Sequence, residues 1–420
     1  MTVVFLLDKQ FGCQAYRCSK GTFSPFFFTL ATLGKSLLEG CSITVRFLFA
    51  IAALLLLFAG DGFTAPLPRQ EAIRVAIIKG GDSVRIDGDG LLAADGKGEP
   101  LRLTFPALVR HAGGYLSVGG RTVDRLTVAS PLAIQVNGKR YRGTIEIAPA
   151  DRGVLVVNEL PLEDYLVGLI NCEISSQWPI ESVKAQAVVA RTYACYQKRA
   201  RAGAPYHLES SVLDQVYDGC EIEDSRAARG VRETAGEILT YGGQPIQAFY
   251  HSNCGGRTEV AENVWGVRLP YLRSVDCAYC ATNPSIRWEY AIPLKKLESL
   301  LRGSGIKVSG LRDIREGKRN ESGRLIDLSI VSAGGATTVT AVNFRKIVGY
   351  AAIKSTNFTV RLTGDSARFS GAGYGHGVGL CQWGAKQRAS DGFTYREILA
   401  YYYPGAVLSK LPSGQGADAR

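Results

Sequence analysis

The chain has 420 residues, of which 46% are hydrophobic and 21% are charged, and its formal net charge is +11. This composition excludes a wholly disordered chain, and the length is sufficient for two or three domains. The excess of Lys and Arg favours an acidic partner.

The N-terminal region has the pattern of an export signal. Residues 47–59, FLFAIAALLLLFA, form an apolar run after Arg46 and are followed by small residues. The run is short for a bilayer span and is typical of a signal-peptide core. Because such a core normally lies near the start of a chain, we expect residues 1–65 to be an over-extended start plus a signal peptide. The alternative is a retained membrane anchor. Both predict an exported protein of the periplasm or cell envelope.

Short alternating runs separated by Gly- and Asp-rich turns extend from Ala72 to Asn158. The sequence VNGK at residues 136–139 is typical of a type I′ hairpin. The predicted fold class is therefore α+β. It has a small N-terminal β domain at residues 66–155, a mixed α/β domain at residues 156–408 and a polar tail at residues 409–420.

Two helices are predicted at the start of the second domain. Pro161 precedes a helix over Leu162–Ile170, and a long helix begins after Pro179 and ends before Gly203. Glu173 is then expected in the connection between them, where both helices can fix it and still leave it facing a cleft. The alternative is that Glu173 only caps the second helix or pairs with one of its cations.

The long helix carries Lys184, Arg191 and Lys198 at intervals of seven residues. This spacing predicts a basic side opposite an apolar one. The C-terminal half contains further predicted elements: a hairpin turning at Gly242-Gly243 and helices over Leu294–Arg302 and Val342–Val348.

Four residues have the spacing of a metal site. His251 and Cys254 form an H-x-x-C pair, and Cys277 and Cys280 form a C-x-x-C pair. Two such pairs predict a structural zinc site. Because exported cysteines meet an oxidising environment, disulfides among Cys254, Cys277 and Cys280 are the alternative.

Five glycines surround Tyr374 and His376 in residues 371–379. So much glycine indicates unusual backbone conformations, or close approach to a substrate or to another chain segment. His376 is expected to contact a ligand or to orient Glu173, the alternative being a histidine satisfied within a tight turn. Tyr374 and Gln382 are further candidates for substrate binding.

Four stretches together resemble the SpoIID/LytB family of cell-wall proteins. They are VVNELPLEDYL with CEISSQWPIESVKAQAVVARTYA, then QVYDG, then FYHSNCGGRT with VWGVRLPYL, and finally GYGHGVGLCQWGAKQRASDGFTYREILAYYYPG. They span about 250 residues in the order that the family has. The resemblance implies a peptidoglycan lytic transglycosylase whose essential glutamate corresponds to Glu173.

In that interpretation Glu173, kept protonated by an apolar surround, protonates the bond between N-acetylmuramic acid and N-acetylglucosamine. As a carboxylate it then takes a proton from the C6 hydroxyl of the muramic acid, which attacks the anomeric carbon and leaves a 1,6-anhydro end. Lys184 and Arg191 are expected to bind the lactyl carboxylate or the N-acetyl oxygen, or else to pair with acids.

The expected partner is the peptidoglycan glycan strand, which the resemblance implies is stripped of its peptides, and a cell-wall amidase is a second candidate. The export signal argues against nucleic acid, and the membrane is expected to be contacted only by the N-terminal segment. Two alternative functions are a non-catalytic amidase enhancer, as the LytB part of the family name implies, and a zinc amidase using His251 and His376.

Overall fold

The computed structural model describes residues 71–284 and 286–411. Within these residues the protein is a mixed α/β structure with 24 strands and eight α-helices. The predicted signal or anchor in residues 1–65, and residues 412–420 of the predicted tail, lie outside them. In the part of the chain that the structure describes, no helix is long and apolar enough to cross a membrane.

Two sheets make up most of the N-terminal part. Their strands are β1 (Ala72–Lys79), β2 (Ser83–Asp87), β3 (Leu92–Asp95), β4 (Pro100–Leu101), β5 (Ala107–Ala112), β6 (Tyr115–Val118), β7 (Arg121–Val123), β8 (Leu126–Ala129), β9 (Ile134–Val136), β10 (Lys139–Tyr141), β11 (Thr144–Ala150), β12 (Gly153–Pro161) and β13 (Leu208–Glu209). One sheet has the order β13-β1-β12-β11-β8-β3-β4, and the other has the order β10-β9-β2-β5-β6-β7. The β-rich character predicted for this region is therefore present.

The hairpin between β9 and β10 has the predicted turn. Asn137 and Gly138 have φ angles of 50° and 85°, and Val136 pairs with Lys139 across the turn. Positive φ at both central residues is what a type I′ turn requires, and Asn and Gly tolerate it best. The VNGK prediction is confirmed.

The boundary predicted between residues 155 and 156 falls inside β12, which runs from Gly153 to Pro161. Its neighbours on the two sides are β1 and β11. One hydrophobic core includes residues from Ile73 to Ile238 and so joins the sheets to the helices that follow. The two predicted domains thus share both a sheet and a core.

Three helices pack on this core: α1 (Leu162–Glu173), α2 (Ile180–Ala200) and α3 (Ser225–Glu233). Pro179 precedes α2, Glu181 lies in its first turn, and Lys198 and Arg199 lie in its last turn, as favourable dipole interactions require. The bounds of α2 agree with the prediction. The helix α1 is longer than predicted, because Gly168 and Asn171 do not end it, and Glu173 is its last residue.

A second core lies beneath the C-terminal elements. These elements are β14 (Glu237–Tyr241), β15 (Gln244–Pro245), β16 (Tyr250–His251), α4 (Ala261–Trp265), β23 (Leu380–Cys381), α7 (Gln382–Ser390), α8 (Tyr395–Tyr402) and β24 (Val407–Lys410). The hairpin β14–β15 turns at Gly242-Gly243, as predicted. The short strands β16 and β23 pair in parallel, and this pairing joins segments more than 120 residues apart.

Residues 287–372 form an inserted subdomain with a third core of its own. It contains β17 (Arg287–Pro293), α5 (Leu294–Gly303), β18 (Leu311–Glu316), β19 (Asp327–Ser332), β20 (Gly335–Thr340), α6 (Ala341–Val348), β21 (Phe358–Thr363) and β22 (Ser366–Ala372). A short 3₁₀ helix, Ala278–Thr282, precedes it. Both predicted helices of this region are present.

Candidate functional site

Glu173 is the centre of a site built from four separate segments. Its Oε1 atom accepts a hydrogen bond of 3.1 Å from the backbone N–H of Val216. The Tyr250 hydroxyl and the Gln382 side chain also hydrogen-bond to its carboxyl group. The end of α1, the loop before α3, strand β16 and the first residue of α7 therefore meet at one carboxyl group.

The surroundings of Glu173 favour its neutral form. The residue as a whole is partly buried, whereas its carboxyl group lies below the surface, and this burial raises its pKa to about 7. The donors from Val216, Tyr250 and Gln382 oppose the shift because they stabilise the carboxylate. A group with this pKa is present in both protonation states near neutral pH and can give and take a proton.

A second layer of side chains holds the donors in place. The Gln215 amide nitrogen donates to the Tyr250 hydroxyl at 3.2 Å, and the Gln215 amide oxygen accepts from the Tyr165 hydroxyl at 3.1 Å. Because the Tyr250 oxygen accepts from Gln215, its own proton is free to point at Glu173. Gln382 in turn donates to Gln186 on α2 at 3.3 Å.

Of the predicted substrate-binding residues, the structure brings Gln382 to Glu173. Lys184 forms ion pairs with Glu181 at 2.7 Å and with Glu233 at 2.8 Å. Arg191 is fully buried and forms a two-bond ion pair with Glu163, at 2.8 and 2.6 Å. The basic side predicted for α2 is therefore occupied by acids, and Arg191 has no surface to offer a ligand.

His376 lies behind Tyr250, packed against other rings. Its ring centroid is 5.0 Å from that of Trp265 and 5.6 Å from that of His251. Its Nδ1 accepts a hydrogen bond of 3.0 Å from the Val378 N–H, and burial lowers its pKa to about 3. His376 is therefore neutral and held within its turn, as the alternative interpretation of the sequence expects.

The glycines around His376 allow chain segments to approach one another. A Cβ atom at Gly375 would lie 2.7 Å from that of His251, and one at Gly379 would collide with the Phe249 carbonyl. Tyr374 forms an isolated bridge with Asn253. The glycine-rich stretch thus packs against the segment that carries Tyr250.

Four buried cysteines form a separate cluster. The sulfur atoms of Cys254, Cys277, Cys280 and Cys381 all lie within 4.8 Å of one another. His251, which was predicted as the fourth member of this group, does not lie in it, and Cys381 takes that place. The His251 Nδ1 instead lies 3.1 Å from the Val378 carbonyl oxygen, and Cys381 reaches the other thiols because β23 pairs with β16.

The cluster has a geometry that could hold a metal ion. All four cysteines are free, and the sulfurs of Cys254 and Cys280 are 3.4 Å apart. A tetrahedral zinc site with bonds of about 2.3 Å needs sulfurs about 3.8 Å apart. Four soft thiol ligands in a closed, buried arrangement are the donor set of a structural metal centre.

Gln215 and Tyr250 were not among the predicted site residues, because neither carries a charge. Both lie in stretches that carry the resemblance, QVYDG and FYHSNCGGRT, and the polar residues of those stretches were the available signal. A pair of tryptophans also lies next to the site. Trp178 follows α1 and Trp383 follows Gln382, and their ring centroids are 5.2 Å apart.

Lys386 lies over both of these rings. Its Nζ atom is 4.3 Å from the centroid of Trp383 and 5.2 Å from that of Trp178. All three side chains are partly exposed. The fold and the site thus define a mixed α/β protein in which the buried carboxyl group of Glu173 is held by neutral donors, beside an aromatic and cationic surface and a four-thiol cluster.

Comparison with known proteins matches the same regions. The family described as Stage II sporulation protein matches residues 150–241, which include Glu173 and Gln215. A domain of unknown function matches residues 262–379, which include the inserted subdomain.

Three relatives illustrate the similarity. An uncharacterized protein of Brachyspira hyodysenteriae is 36% identical, and the match covers 65% of this chain and 73% of the relative. The Amidase enhancer of Bacillus subtilis is 30% identical over 66% of this chain, but the match spans only 45% of the enhancer. Stage II sporulation protein D of Bacillus subtilis is 28% identical, over 60% of this chain and 76% of the relative. The chain belongs to the SpoIID/LytB family, and these relatives support a role connected with the cell wall.

Proposed function

We propose that this protein is a peptidoglycan lytic transglycosylase and that Glu173 is its general acid and base. The observation that carries the proposal is the buried carboxyl group of Glu173, whose pKa is raised to about 7 and which three neutral donors hold in place. The proposed substrate is the glycan strand, cut between N-acetylmuramic acid and N-acetylglucosamine.

The proposed reaction needs one carboxyl group. Protonated Glu173 gives its proton to the glycosidic oxygen as the bond to the anomeric carbon breaks. The resulting carboxylate is stabilised by the Val216 N–H, Tyr250 and Gln382, and it takes the proton of the muramic acid C6 hydroxyl. That oxygen bonds to the anomeric carbon and forms the 1,6-anhydro ring, so no water enters and Glu173 ends protonated.

Two tryptophans next to the site supply a surface for the sugar rings. Trp178 and Trp383 expose part of their rings beside the residues that carry and contact Glu173. Apolar faces of sugars pack on such rings, and the Lys386 ammonium supplies a positive charge for the lactyl carboxylate of muramic acid. We propose this cluster, in place of Lys184 and Arg191, as the first contact for the strand.

The four-cysteine cluster is proposed to bind one zinc ion as a structural centre. Bound zinc would tie together the segments that carry Cys254, Cys277, Cys280 and Cys381. Four thiolates fill the tetrahedral positions of the ion and leave none open for a reacting water. This argues against the zinc amidase, which would also need His251 and His376 as ligands.

The similarity to the Amidase enhancer supports a second candidate, a protein that binds glycan and assists a cell-wall amidase without cutting the strand itself. For either function the proposed location is outside the cytoplasm, in the periplasm or cell envelope. The two candidates differ in whether new glycan ends appear.

The deciding experiment incubates the full chain and its Glu173→Gln variant with peptide-free and intact glycan strands, and the products are examined by mass spectrometry. We expect 1,6-anhydro ends from the unmodified chain and none from the variant. Reducing ends that contain an added water would instead indicate a hydrolase. Glycan binding by both proteins without any cleavage would favour the amidase enhancer.

A further inference from the structure

Arg324 is a buried cation that lies next to the four-cysteine cluster. It belongs to the turn between β18 and β19 of the inserted subdomain, and its side chain is almost completely inaccessible to solvent. Its Nη2 atom donates to the backbone carbonyl of Cys254 at 2.7 Å. The inserted subdomain thus sends a guanidinium group into the core that holds the thiols.

This guanidinium lacks most of its partners. Its Nε and Nη1 atoms are buried and have no hydrogen-bond acceptor among the described residues. A guanidinium group stays charged in proteins, and burying it without a counter-charge is unfavourable. One hydrogen bond to a neutral carbonyl does not offset that cost.

The acid that acts on Arg324 from nearby is already engaged. Glu259 is buried, and its carboxylate accepts hydrogen bonds from Asn263 at 2.8 Å, from Asn320 at 2.6 Å and from Ser322 at 2.7 Å. Within residues 71–284 and 286–411 no carboxylate forms an ion pair with Arg324. Glu259 is therefore a nearby negative charge that does not bond to Arg324, and the Nε and Nη1 atoms of the guanidinium still have no acceptor among the described residues.

The thiols of Cys254, Cys280 and Cys381 are close enough to interact electrostatically with Arg324. Four protonated thiols are neutral and would not compensate the positive charge of Arg324. Four thiolates around a divalent ion carry a net charge of −2, and a buried dianion needs a neighbouring cation as much as Arg324 needs an anion. Each group supplies what the other lacks.

Gly377 provides the room for this arrangement. Its φ angle is 89°, and a Cβ atom there would lie 2.5 Å from Arg324 Nη2. The absence of a side chain at Gly377 therefore leaves space for the guanidinium group of Arg324.

We propose that Arg324 is the internal counter-cation of a tetrathiolate metal centre formed by Cys254, Cys277, Cys280 and Cys381. Its positive charge stabilises the thiolates and so raises the affinity for the metal, and its bond to the Cys254 carbonyl orients one ligand. This rests on the proposed metal site and is independent of the proposed glycan cleavage.

The test uses the full chain and four variants. Arg324→Met removes both the charge and the hydrogen-bond donors, Arg324→Gln keeps a donor without the charge, and Arg324→Lys keeps the charge. The control is Arg345→Met, which removes a different arginine of the inserted subdomain, one that is partly buried and donates to the carbonyls of Ile353 and Lys354. Zinc affinity is measured by competition with a chromophoric chelator, and Co²⁺ substitution gives the absorption bands of tetrathiolate coordination.

We expect zinc affinity to fall at least about tenfold in Arg324→Met and Arg324→Gln. Arg324→Lys and Arg345→Met should stay within about threefold of the unmodified chain on the same measure of zinc affinity. If Arg324→Met does not fold, the zinc affinities of Arg324→Gln and Arg324→Lys still show whether the charge or only the packing of Arg324 matters. Unchanged affinity in Arg324→Gln would overturn the proposal, as would a full chain that shows no thiolate bands with Co²⁺. Neither outcome depends on whether glycan is cut, so the proposed function stands or falls separately.

Discussion

Cys381 and Gln382 are neighbours in the chain, yet their side chains belong to two different clusters. The Cys381 sulfur lies with the other three thiols, while Gln382 hydrogen-bonds to the Glu173 carboxyl group. Tyr250, the other side-chain donor to Glu173, pairs in parallel with Leu380. The thiol cluster therefore lies directly behind the strands that deliver the partners of the carboxyl group.

Removing the metal should consequently disturb the site without touching Glu173. We expect that stripping the full chain with a chelator lowers both its thermal midpoint and its glycan-cleaving rate, and that added Zn²⁺ restores both. Cys381→Ser should behave like the stripped protein. Cys195→Ser, which changes a buried free cysteine outside the cluster, should not. Full activity in protein shown by elemental analysis to be metal-free would contradict this coupling.

Tyr250→Phe should shift the pH dependence. The Tyr250 hydroxyl stabilises the carboxylate form of Glu173, so its loss raises the pKa of Glu173 further above the value of about 7. One hydrogen bond to a charged group corresponds to about one pKa unit. The acid form then persists to higher pH, and the alkaline limb of the pH–rate profile should move up by about one unit.

The matched control for this change is Tyr193→Phe, because Tyr193 hydrogen-bonds to Asp214 and Gln197 rather than to Glu173. The carbon-13 chemical shift of the Glu173 carboxyl group, followed against pH, gives the same pKa without any substrate. A profile that moves towards acid in Tyr250→Phe would show that the hydroxyl does not stabilise the carboxylate.

The sequence was informative about local structure and less so about the surroundings of Glu173. Hairpin and helix bounds depend on local chemistry, such as Asn137-Gly138 in a turn or Pro179 before a helix, and they were predicted closely. The resemblance placed Glu173 in an important motif. The surround that shifts its pKa comes from residues 40 to 210 positions away, which no local pattern encodes.

Cys381 illustrates the same limit. About 100 residues separate it from Cys280, and a whole subdomain with its own core lies between them. The H-x-x-C pair and the C-x-x-C pair together suggested a complete set of four ligands, so no local pattern indicated a fifth candidate. Only the parallel pairing of β16 with β23 brings Cys381 to the cluster and leaves His251 beside it.

Glu173→Gln should make the protein more stable at alkaline pH. The folded-state pKa of about 7 lies above the ordinary value of 4.5, so the folded protein binds the proton more tightly than the unfolded chain. The stability of the unmodified chain is therefore full below pH 4.5 and declines as the pH rises through 7. At about 1.4 kcal/mol per pKa unit, the loss above pH 8 is up to about 3 kcal/mol.

Glutamine does not ionise, so the Glu173→Gln variant should not lose stability in this way as the pH rises. In urea unfolding we expect the two proteins to be nearly equal at pH 5 and the Gln variant to be more stable at pH 8.5. The control is Glu397→Gln, which changes an exposed glutamate of a capping box. An equal difference between Glu173→Gln and the unmodified chain at both pH values would exclude titration of Glu173 as its cause.

Trp383→Ala should weaken substrate binding more than it slows the chemical step. Trp383 contacts Trp178 and Lys386 but does not bond to the Glu173 carboxyl group. Stacking on one aromatic ring is worth about 0.5–1.5 kcal/mol, so KM for glycan strands should rise by about twofold to tenfold with kcat changed less. Tyr115→Ala, which removes an exposed ring from β6, is the control. A fall in kcat at constant KM would instead indicate that Trp383 supports Gln382.

Replacing Arg191 should lower the free energy of unfolding more than replacing Lys184. Arg191 is fully buried and bonds to Glu163 and to the carbonyls of Val231 and Glu237. Arg191→Met leaves these groups without their partner, and we expect the free energy of unfolding to fall by about 2–4 kcal/mol. Lys184 pairs near the surface with two acids, so Lys184→Met should cost about 1 kcal/mol or less.

Urea unfolding of both variants measures this difference, and KM for glycan strands separates structure from binding. If Arg191 is structural, the Arg191→Met variant that remains folded at low temperature should keep its KM within about twofold, well under the tenfold change that 1.4 kcal/mol of lost binding would produce. A large rise in KM with little loss of stability would return Arg191 to the substrate-binding role first predicted for it. KM is measured in the same way for Lys184→Met, because the Lys184 side chain is partly exposed whereas that of Arg191 is fully buried.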